Sequence, residues 1–357
     1  MSLILFIDMD SFYASCEIIR NKNLKDKEFL IGTASEDKKT NGVIESCSYP
    51  ARKFGIKSGM PTAQALKIKP DIIYIAADND YYELISNRIF NLLKSYCLIH
   101  NFKIEIFSID EAAIDLNNST YDEAYKLAEE IKKEIKLKMH MPSTIGIADG
   151  VILAKMVCDN AKPDGLKIIK KNEIIDFLNG KKIITIPGIG VKTEKKLNDI
   201  GIYTIDDLAK ADLNKLKKSI GSFAEDLHLL ANGIDKSKIK ENQEIKSISR
   251  EITLTNKSKN ENELKITLDK LIDEIISTAS KQNLQFKNIS VKVKYINLKY
   301  KIKSRQINYY TNSKEITQNI AHSLLEKLIN SSLEIKKVGI RISKFRKENK
   351  KMQQKIL

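Results

Sequence analysis

The chain has 357 residues, 42% of them hydrophobic and 30% charged, the composition of a soluble globular protein with two to four packed units. No apolar run approaches the ~18 residues that span a bilayer, and Cys16, Cys47, Cys97 and Cys158 form no C-x-x-C pair. Membrane helices, a disulfide framework and a zinc site are therefore disfavoured, and a reducing cytoplasm is the simplest setting.

The net charge of +15 is confined to the last third: residues 235–357 hold 28 Lys+Arg against 13 Asp+Glu, whereas residues 1–234 hold 33 of each. A basic module on a neutral body fits electrostatic binding of a phosphate backbone. The alternative is a solubility device in a lysine- and asparagine-rich chain.

In chain order, Leu3–Ile7 is an apolar run that ends at Asp8. It predicts a buried strand with an acid at its C-terminal end, and it is too short for a signal-peptide core. Ser11–Ile19 reads as a helix. Residues 43–76 carry the turn-rich Lys53–Pro61 and then a short helix through Leu66. Tyr81–Leu98 is a long helical pattern. Ile104–Leu116 alternates apolar and polar residues about Ser108-Ile109-Asp110-Glu111, which predicts a hairpin with acids at its bend. Tyr121–Met139 is amphipathic, with Tyr121, Ala124, Tyr125, Ala128, Ile131 and Ile135 expected on one stripe.

Residues 167–233 are short helical stretches around Ile186-Pro187-Gly188-Ile189-Gly190, and the polar segment 235–246 reads as a linker. The remainder predicts a βαββαβ unit: strand Ser247–Thr255, helix Glu261–Lys281, strands Phe286–Ile296 and Lys299–Tyr310, helix Lys314–Ile329 and strand Glu334–Phe345. The fold class is thus α+β and multidomain. Strand alternation in the two middle strands is expected to gather Lys292, Lys294, Lys299, Lys301, Lys303 and Arg305 on one sheet face. Six like charges there call for an anionic partner, although an ordinary solvated face is the other reading.

Asp8 and the Asp110-Glu111 pair are candidates for one carboxylate cluster, since neighbouring strands can join residues far apart in sequence. Crowded carboxylates repel unless cations compensate. An all-oxygen donor set suits a hard ion such as magnesium, and two such ions serve in-line phosphoryl transfer. From spacing alone, an exposed Asp-Glu pair at a hairpin turn is an equally available reading. Arg52, in Tyr49-Pro50-Ala51-Arg52-Lys53-Phe54-Gly55, offers a planar fork for phosphate oxygens, and Lys162, in Ala161-Lys162-Pro163-Asp164-Gly165, offers a point charge.

Four strings then occur together. They are Phe6-Ile7-Asp8-Met9-Asp10-Ser11-Phe12-Tyr13-Ala14, Ser46 to Gly55, Ser108-Ile109-Asp110-Glu111-Ala112, and Ala154-Lys155 through Asp159 to Lys162-Pro163-Asp164-Gly165. In this order and spacing they resemble the Y-family DNA polymerases, closest to the DNA polymerase IV branch, and the resemblance runs from Leu3 to about Phe345. It implies a right-hand polymerase with palm (1–10 and 78–166), small fingers (11–77), a thumb (167–233), a linker (234–246), a little finger (247–345) and a basic tail (346–357).

It also implies error-tolerant, lesion-bypassing synthesis from deoxynucleoside triphosphates (dNTPs) on primer-template DNA, without a proofreading exonuclease. Asp8, Asp110, Glu111 and the Met9 carbonyl match the ligands of two Mg2+ ions, with Mn2+ as a substitute. Tyr13 matches the steric gate against a ribose 2′-hydroxyl, and Phe12 packs beside it. Tyr49, Arg52 and Lys162 match the triphosphate contacts, and Lys155 and Asp159 match palm-helix positions. Ile186 to Thr193 resembles a helix-hairpin-helix in which Gly188, Gly190 and Lys192 meet a DNA phosphate. Lys246 and Arg250 match the entry strand of the little finger.

Two departures from the family pattern stand out. Glu45 replaces a small residue that faces the nascent base pair, and it can narrow the site, alter base preference or turn away. Ala148-Asp149-Gly150-Val151-Ile152-Leu153 stands where the family carries Asn-Lys ahead of the Lys155 helix. That removes a cation near the template or phosphates, adds Asp149, and implies slower incorporation or weaker nucleotide binding. The family usually works as a monomer with a sliding clamp, bound through a Gln-containing tail. The tail Lys351 to Leu357 matches that poorly, and a frayed basic end is its other reading. A rival function is a catalytically weak DNA-binding scaffold that keeps the fold; a palm-like nucleotide cyclase is a third, one that would need neither thumb nor basic module.

Overall fold

The computed structural model describes residues 2–34, 39–40, 42–240, 244–329 and 333–347. The chain divides into two compact units, Met1–Glu241 and Asn242–Leu357.

The first unit is built on a five-stranded sheet of order β5 (Lys103–Ile106), β6 (Glu111–Asp115), β1 (Leu3–Met9), β7 (Ser143–Asp149) and β8 (Leu166–Ile168). Its central strand β1 (Leu3–Met9) is buried along its whole length, as an uninterrupted apolar run requires. Alternation splits the strand between two cores. Leu3, Leu5, Ile7 and Met9 pack with α1 (Phe12–Arg20), α4 (Asn79–His100) and α5 (Tyr121–Met139), whereas Ile4 and Phe6 pack with α6 (Val151–Ala161) and the helices that follow it. β6 (Glu111–Asp115) and β7 (Ser143–Asp149) flank β1 antiparallel, β5 (Lys103–Ile106) closes one edge, and β8 (Leu166–Ile168) closes the other.

Between α1 and α4 the chain makes a small sheet of β2 (Phe29–Gly32), β3 (Ile44–Cys47) and β4 (Ile73–Ala76), with the short helices α2 (Tyr49–Arg52) and α3 (Thr62–Ile68). After β8 come five short helices: α7 (Ile174–Leu178), α8 (Val191–Asn198), α9 (Ile205–Lys210), α10 (Leu213–Ile220) and α11 (Phe223–Ala231). In α5 a Thr120–Glu123 capping box sets the start, and Ala124, Ala128, Ile131 and Ile135 are buried. Tyr125 is exposed instead of joining that stripe, because it sits one residue, about 100°, round the helix from Ala124.

The start of the expected linker is not free chain. Asp235 is buried and accepts the Leu153 N–H at 3.0 Å, while Ser237 Oγ accepts the Val151 N–H at 3.0 Å and the Ile152 N–H at 3.2 Å. These groups cap α6, whose own N-cap residue, Gly150, has no side chain to do so. Gly150 has φ +111, and a Cβ there would lie 2.4 Å from Asp235 Cγ. The Lys240 N–H then donates to Glu105 at 2.7 Å. Two of the polar residues that read as linker thus cap a helix, while the division between the two units falls inside the expected 235–246 segment.

The second unit is a βαββαβ fold: β9 (Ser247–Ser258), α12 (Glu261–Lys281), β10 (Leu284–Tyr295), β11 (Tyr300–Thr311), α13 (Lys314–Glu326) and β12 (Ile335–Lys347), with sheet order β11-β10-β12-β9. Leu264, Leu268, Leu271, Ile272 and Ile275 of α12 pack on Ile289, Val291, Val293 and Tyr295 of β10. One sheet face is therefore covered by helices and the other is open. The residues of the expected tail, 348–357, lie outside those described, and with them the proposed clamp segment.

Candidate active site

Continuing the alternation of Ile4 and Phe6, Asp8 points to the α6 side of the sheet. Glu111 is its direct partner across β1 and β6, and residues opposed in an antiparallel pair share a face. Asp110 sits in the bend just before β6, where its carbonyl accepts the Met9 N–H at 3.0 Å. Pairing of the strands thus brings together acids that are far apart in sequence.

Two lysines of the α6 region meet these acids. Lys162 Nζ donates to Asp8 Oδ2 at 2.6 Å and to Asp159 Oδ1 at 2.9 Å, and Lys155 pairs with Glu111. Burial raises the Asp8 carboxyl to about 7; Lys162 opposes that rise, and the charges of Asp110 and Glu111 add to it. Burial raises Asp110 too, with a further push from Glu111. Burial works against the charge on Lys162, but the neighbouring Asp8 outweighs it, and its pKa rises.

Among the described residues, no group of three or more His, Cys, Asp or Glu side chains is drawn together as a closed metal site. Lys162 pairs with Asp8 and Lys155 with Glu111 in this conformation. The donor set still fits a hard cation: it is all oxygen, with Asp8 and Glu111 opposed across the strand pair and Asp110 in the bend beside them.

Asp8 and Asp110 line a cavity of about 470 Å³. Its walls include Met9, Phe12, Tyr13, Glu45, Tyr49, Arg52 and Lys162. Ser11 takes the left-handed conformation (φ 44) at the start of α1, an uncommon state for a residue with a side chain. That turn buries Phe12 and leaves Tyr13 on the cavity wall. The Tyr13 ring stacks on Tyr82 of α4, centroids 4.4 Å apart and planes 21° apart. Tyr82 is fixed in turn by donating its hydroxyl to Glu17 at 2.7 Å in the core. Arg52 lies over the Tyr49 ring at 5.1 Å and donates to Ser11 Oγ at 2.9 Å.

Residues 7–159 match the impB/mucB/samB family, residues 245–356 match its C-terminal domain, and residues 184–235 match the DNA polymerase-iota thumb domain. A DNA polymerase IV of Methanoculleus marisnigri is 34% identical over 96% of this chain and 94% of its own length. A DNA polymerase IV of Saccharolobus solfataricus is 34% identical over 96% of each chain. Among solved structures, a Y-family DNA polymerase chimera of Dbh and Dpo4 aligns with TM-score 0.88 at 33% identity, covering 97% of this chain and 100% of that one. An insertion ternary complex of Dbh DNA polymerase aligns with TM-score 0.70 at 32% identity, covering 97% of this chain and 100% of that one.

The chain belongs to the Y family of DNA polymerases. It is a DNA-directed DNA polymerase of the translesion kind, and membership implies dependence on a divalent metal.

Sequence reasoning missed the residues that hold this Y-family site in place. Asp10 lies in the same string as Asp8 but is 1% exposed and does not line the cavity. Its carboxylate accepts the Thr144 hydroxyl at 2.8 Å and the Asp164 N–H at 2.7 Å, which fixes the turn that carries Lys162. Asp10→Ala is expected to cost about 3 kcal/mol, two hydrogen bonds to a buried charge. Hydrogen exchange across residues 162–165 should rise with that loss.

Asp149 is at the wrong end of the sheet to touch nucleotide. It pairs with Leu3 and accepts a hydrogen bond from the Tyr121 hydroxyl at 3.3 Å. Leu3 and Asp8 are separated by roughly 17 Å of strand, at about 3.4 Å per residue. The expectation of weaker nucleotide binding is therefore withdrawn. Asp149→Lys is expected to leave the affinity for dNTP within about twofold, as equilibrium titration would show; surface changes away from a site are usually worth less than ~0.5 kcal/mol.

In the thumb region, Gly188 has φ +95, and Gly190 caps α8 with no side-chain hydrogen bond. The first-turn N–H groups of α8, including that of Lys192, are left without a side-chain cap, the arrangement that suits an anion.

In the second unit the cations divide between faces. Lys301 is opposed to Val293, Lys303 to Val291 and Arg305 to Ile289, so these three lie on the helix-covered side of edge strand β11. Lys299 precedes that strand, and its carbonyl accepts the Tyr295 N–H. Arg250 is opposed to Ile340 and pairs with Glu274 of α12 at 3.4 Å. Only Lys292 and Lys294 of the expected six are on the open face, beside Tyr300 at 4.1 and 5.0 Å. Lys337 and Arg341 of β12 join them there by register, with Glu251 bridging Lys292 and Lys337. Lys246 precedes β9 and is exposed. Alternation orders each strand by itself, but the turn between strands sets their mutual register.

Proposed function

We propose that this Y-family polymerase performs two-metal nucleotidyl transfer at the Asp8, Asp110 and Glu111 cluster, adding dNTPs to a primer 3′-hydroxyl on template DNA. The observation that carries the reading is one cavity lined by Asp8, Asp110, Tyr13, Tyr49, Arg52 and Lys162, with Glu111 opposed to Asp8 across the strand pair. Asp8, Asp110, Glu111 and the Met9 carbonyl would hold two Mg2+ ions, or Mn2+ in their place. Bound there, the ions would activate the 3′-hydroxyl and neutralise charge on the triphosphate.

The chain's own residues do the rest. Arg52, braced by Tyr49 and Ser11, presents its guanidinium to phosphate oxygens. Lys162 carries a charge that passes from Asp8 to the triphosphate when substrate enters, where it offsets charge growing on the leaving pyrophosphate. Tyr13, backed by the rigid Tyr82 ring, excludes a 2′-hydroxyl. Lys155 and Asp159 orient Glu111 and Lys162.

In this reading residues 1–10 and 78–166 are the palm, 11–77 the fingers, 167–233 the thumb and 247–345 the little finger. Gly188, Gly190 and Lys192 meet duplex phosphates, and the open face with Lys292 and Lys294 follows the DNA backbone. A monomer working in the cytoplasm with a sliding clamp completes the proposal on family grounds. Among the described residues no helix is long and apolar enough to cross a membrane.

Primer extension with Mg2+ or Mn2+, on undamaged and damaged templates, tests the reading. Incorporation of dNTP is expected on both. Normal DNA binding without any extension would instead favour the scaffold.

A further inference from the structure

One hydroxyl in the core has a partner that core packing does not call for. Ser86 lies among the buried residues of α4, with Tyr82, Ile85, Ile89 and Leu93, and is 4% exposed. A serine inside a helix can turn its hydroxyl back to the carbonyl four residues earlier. Ser86 instead donates to the Ile109 carbonyl at 2.6 Å. Among the described residues no backbone N–H donates to that carbonyl. Ile109 lines the cavity and directly precedes Asp110.

The bend that carries Asp110 lies between β5 and β6 and is tied on both sides of that residue. A peptide unit is a rigid plane. The plane before the Asp110 Cα includes the Ile109 carbonyl, which Ser86 holds. The plane after it includes the Asp110 carbonyl, which accepts the Met9 N–H at 3.0 Å. Restraining both planes restrains φ and ψ of Asp110, and with them the direction of its Cα–Cβ bond. The Ser108 hydroxyl then sets the rotation of the carboxylate by donating to Oδ1 at 2.6 Å. Tyr82, one turn before Ser86 and so on the same face of α4, stacks on Tyr13. A single helix face thus braces both the acid bend and the aromatic wall of the cavity.

We propose that Ser86 is a positioning residue, which acts through the Ile109 carbonyl to aim the Asp110 carboxylate at the divalent metal. The inference rests on the polymerase reading. Metal sites tolerate about 0.5 Å of misplacement, and the groups that orient metal ligands are typically worth 10- to 100-fold in metal affinity. Without the Ser86 hydroxyl the bend would keep its tie to β1, but the plane before Asp110 would be released.

The test measures Mn2+ binding by electron paramagnetic resonance, so that it does not depend on turnover. Mn2+ is titrated into the complex of enzyme, dideoxy-terminated primer-template and dNTP for wild type, Ser86→Ala and Ser86→Thr. Thermal melting and single-turnover insertion on an extendable primer are recorded beside it. Ser86→Ala is expected to weaken Mn2+ binding roughly tenfold and to slow insertion at saturating dNTP by a similar factor. Its affinity for primer-template should stay within about twofold of wild type. Ser86→Thr keeps the hydroxyl and should bind Mn2+ much as wild type does. A Ser86→Ala enzyme that binds Mn2+ like wild type, however early it melts, reduces Ser86 to a core hydroxyl and overturns the proposal. Equal loss in a Ser86→Thr enzyme that melts like wild type overturns it as well. Failure of wild type to extend any primer overturns the polymerase reading instead, and the Mn2+ comparison still decides whether Ser86 acts on the acids.

Discussion

Replacing Asp110 by Ala is expected to lower nucleotide insertion by roughly 10³-fold or more in kcat while primer-template binding is kept. Asp110 stands in the bend before β6, its carbonyl tied to Met9 and its carboxylate to Ser108 at 2.6 Å. Its removal deletes one of three acids at the place where transferring charge needs compensation. A Lewis-acid centre supplies several kcal/mol of transition-state stabilisation, and each 1.36 kcal/mol is tenfold in rate. The side chain is no part of a packed core, so the fold should survive. Single-turnover extension beside a DNA-binding titration distinguishes lost chemistry from lost structure. Extension within tenfold of wild type would falsify the assignment of Asp110.

Tyr13→Ala is expected to relax discrimination between dNTPs and ribonucleoside triphosphates by roughly 10- to 100-fold, the equivalent of a 1–3 kcal/mol steric clash. The ring is a firm wall because it stacks on Tyr82, and Tyr82 is held by Glu17. The ratio of kcat/KM for the two sugars, measured on one template, reads the effect. Tyr82→Phe supplies the control. It keeps the stacking surface and loses only the hydroxyl bond, so the protein should be less stable while sugar discrimination stays near wild type. A Tyr13→Ala enzyme that still rejects ribonucleotides as wild type does would remove the gate from this site.

Much of the molecule was legible before any coordinates. The β1 run, the long α4 and α5 patterns, the Asp110-Glu111 hairpin and the βαββαβ order all have strong periodicity, which local side-chain chemistry dictates. The expected helix Glu261–Lys281 coincides with α12, and Asn260 caps its start. The weaker readings failed where a residue's partner lies elsewhere in the chain. Asp235 and Ser237 looked like linker polarity, yet their partners are the N–H groups of α6. Asp149 looked close to Lys155 in sequence, but five residues of strand carry it away from Asp8.

The basic strands show the same limit. Alternation correctly opposes Lys292 to Val293 within one strand. It cannot say that the turn from Ile296 to Lys299 leaves Lys301 across from Val293, on the other face from Lys292. Tyr82, Asp10 and Thr144 were invisible for a related reason. Each is a buried polar or aromatic side chain whose value lies in the one group it touches.

Sequence by itself determined which acids, cations and aromatic residues are on hand for the proposed site of this polymerase, and that its positive charge lies in the last third of the chain. Those are properties of residue identity and order. Tertiary structure alone decided that Asp8 faces Glu111 across two strands, that Asp10 braces the Lys162 turn and that a bulge points Glu45 into the cavity. Register, bulges and buried hydrogen bonds are set by packing between distant segments, and no local pattern contains them.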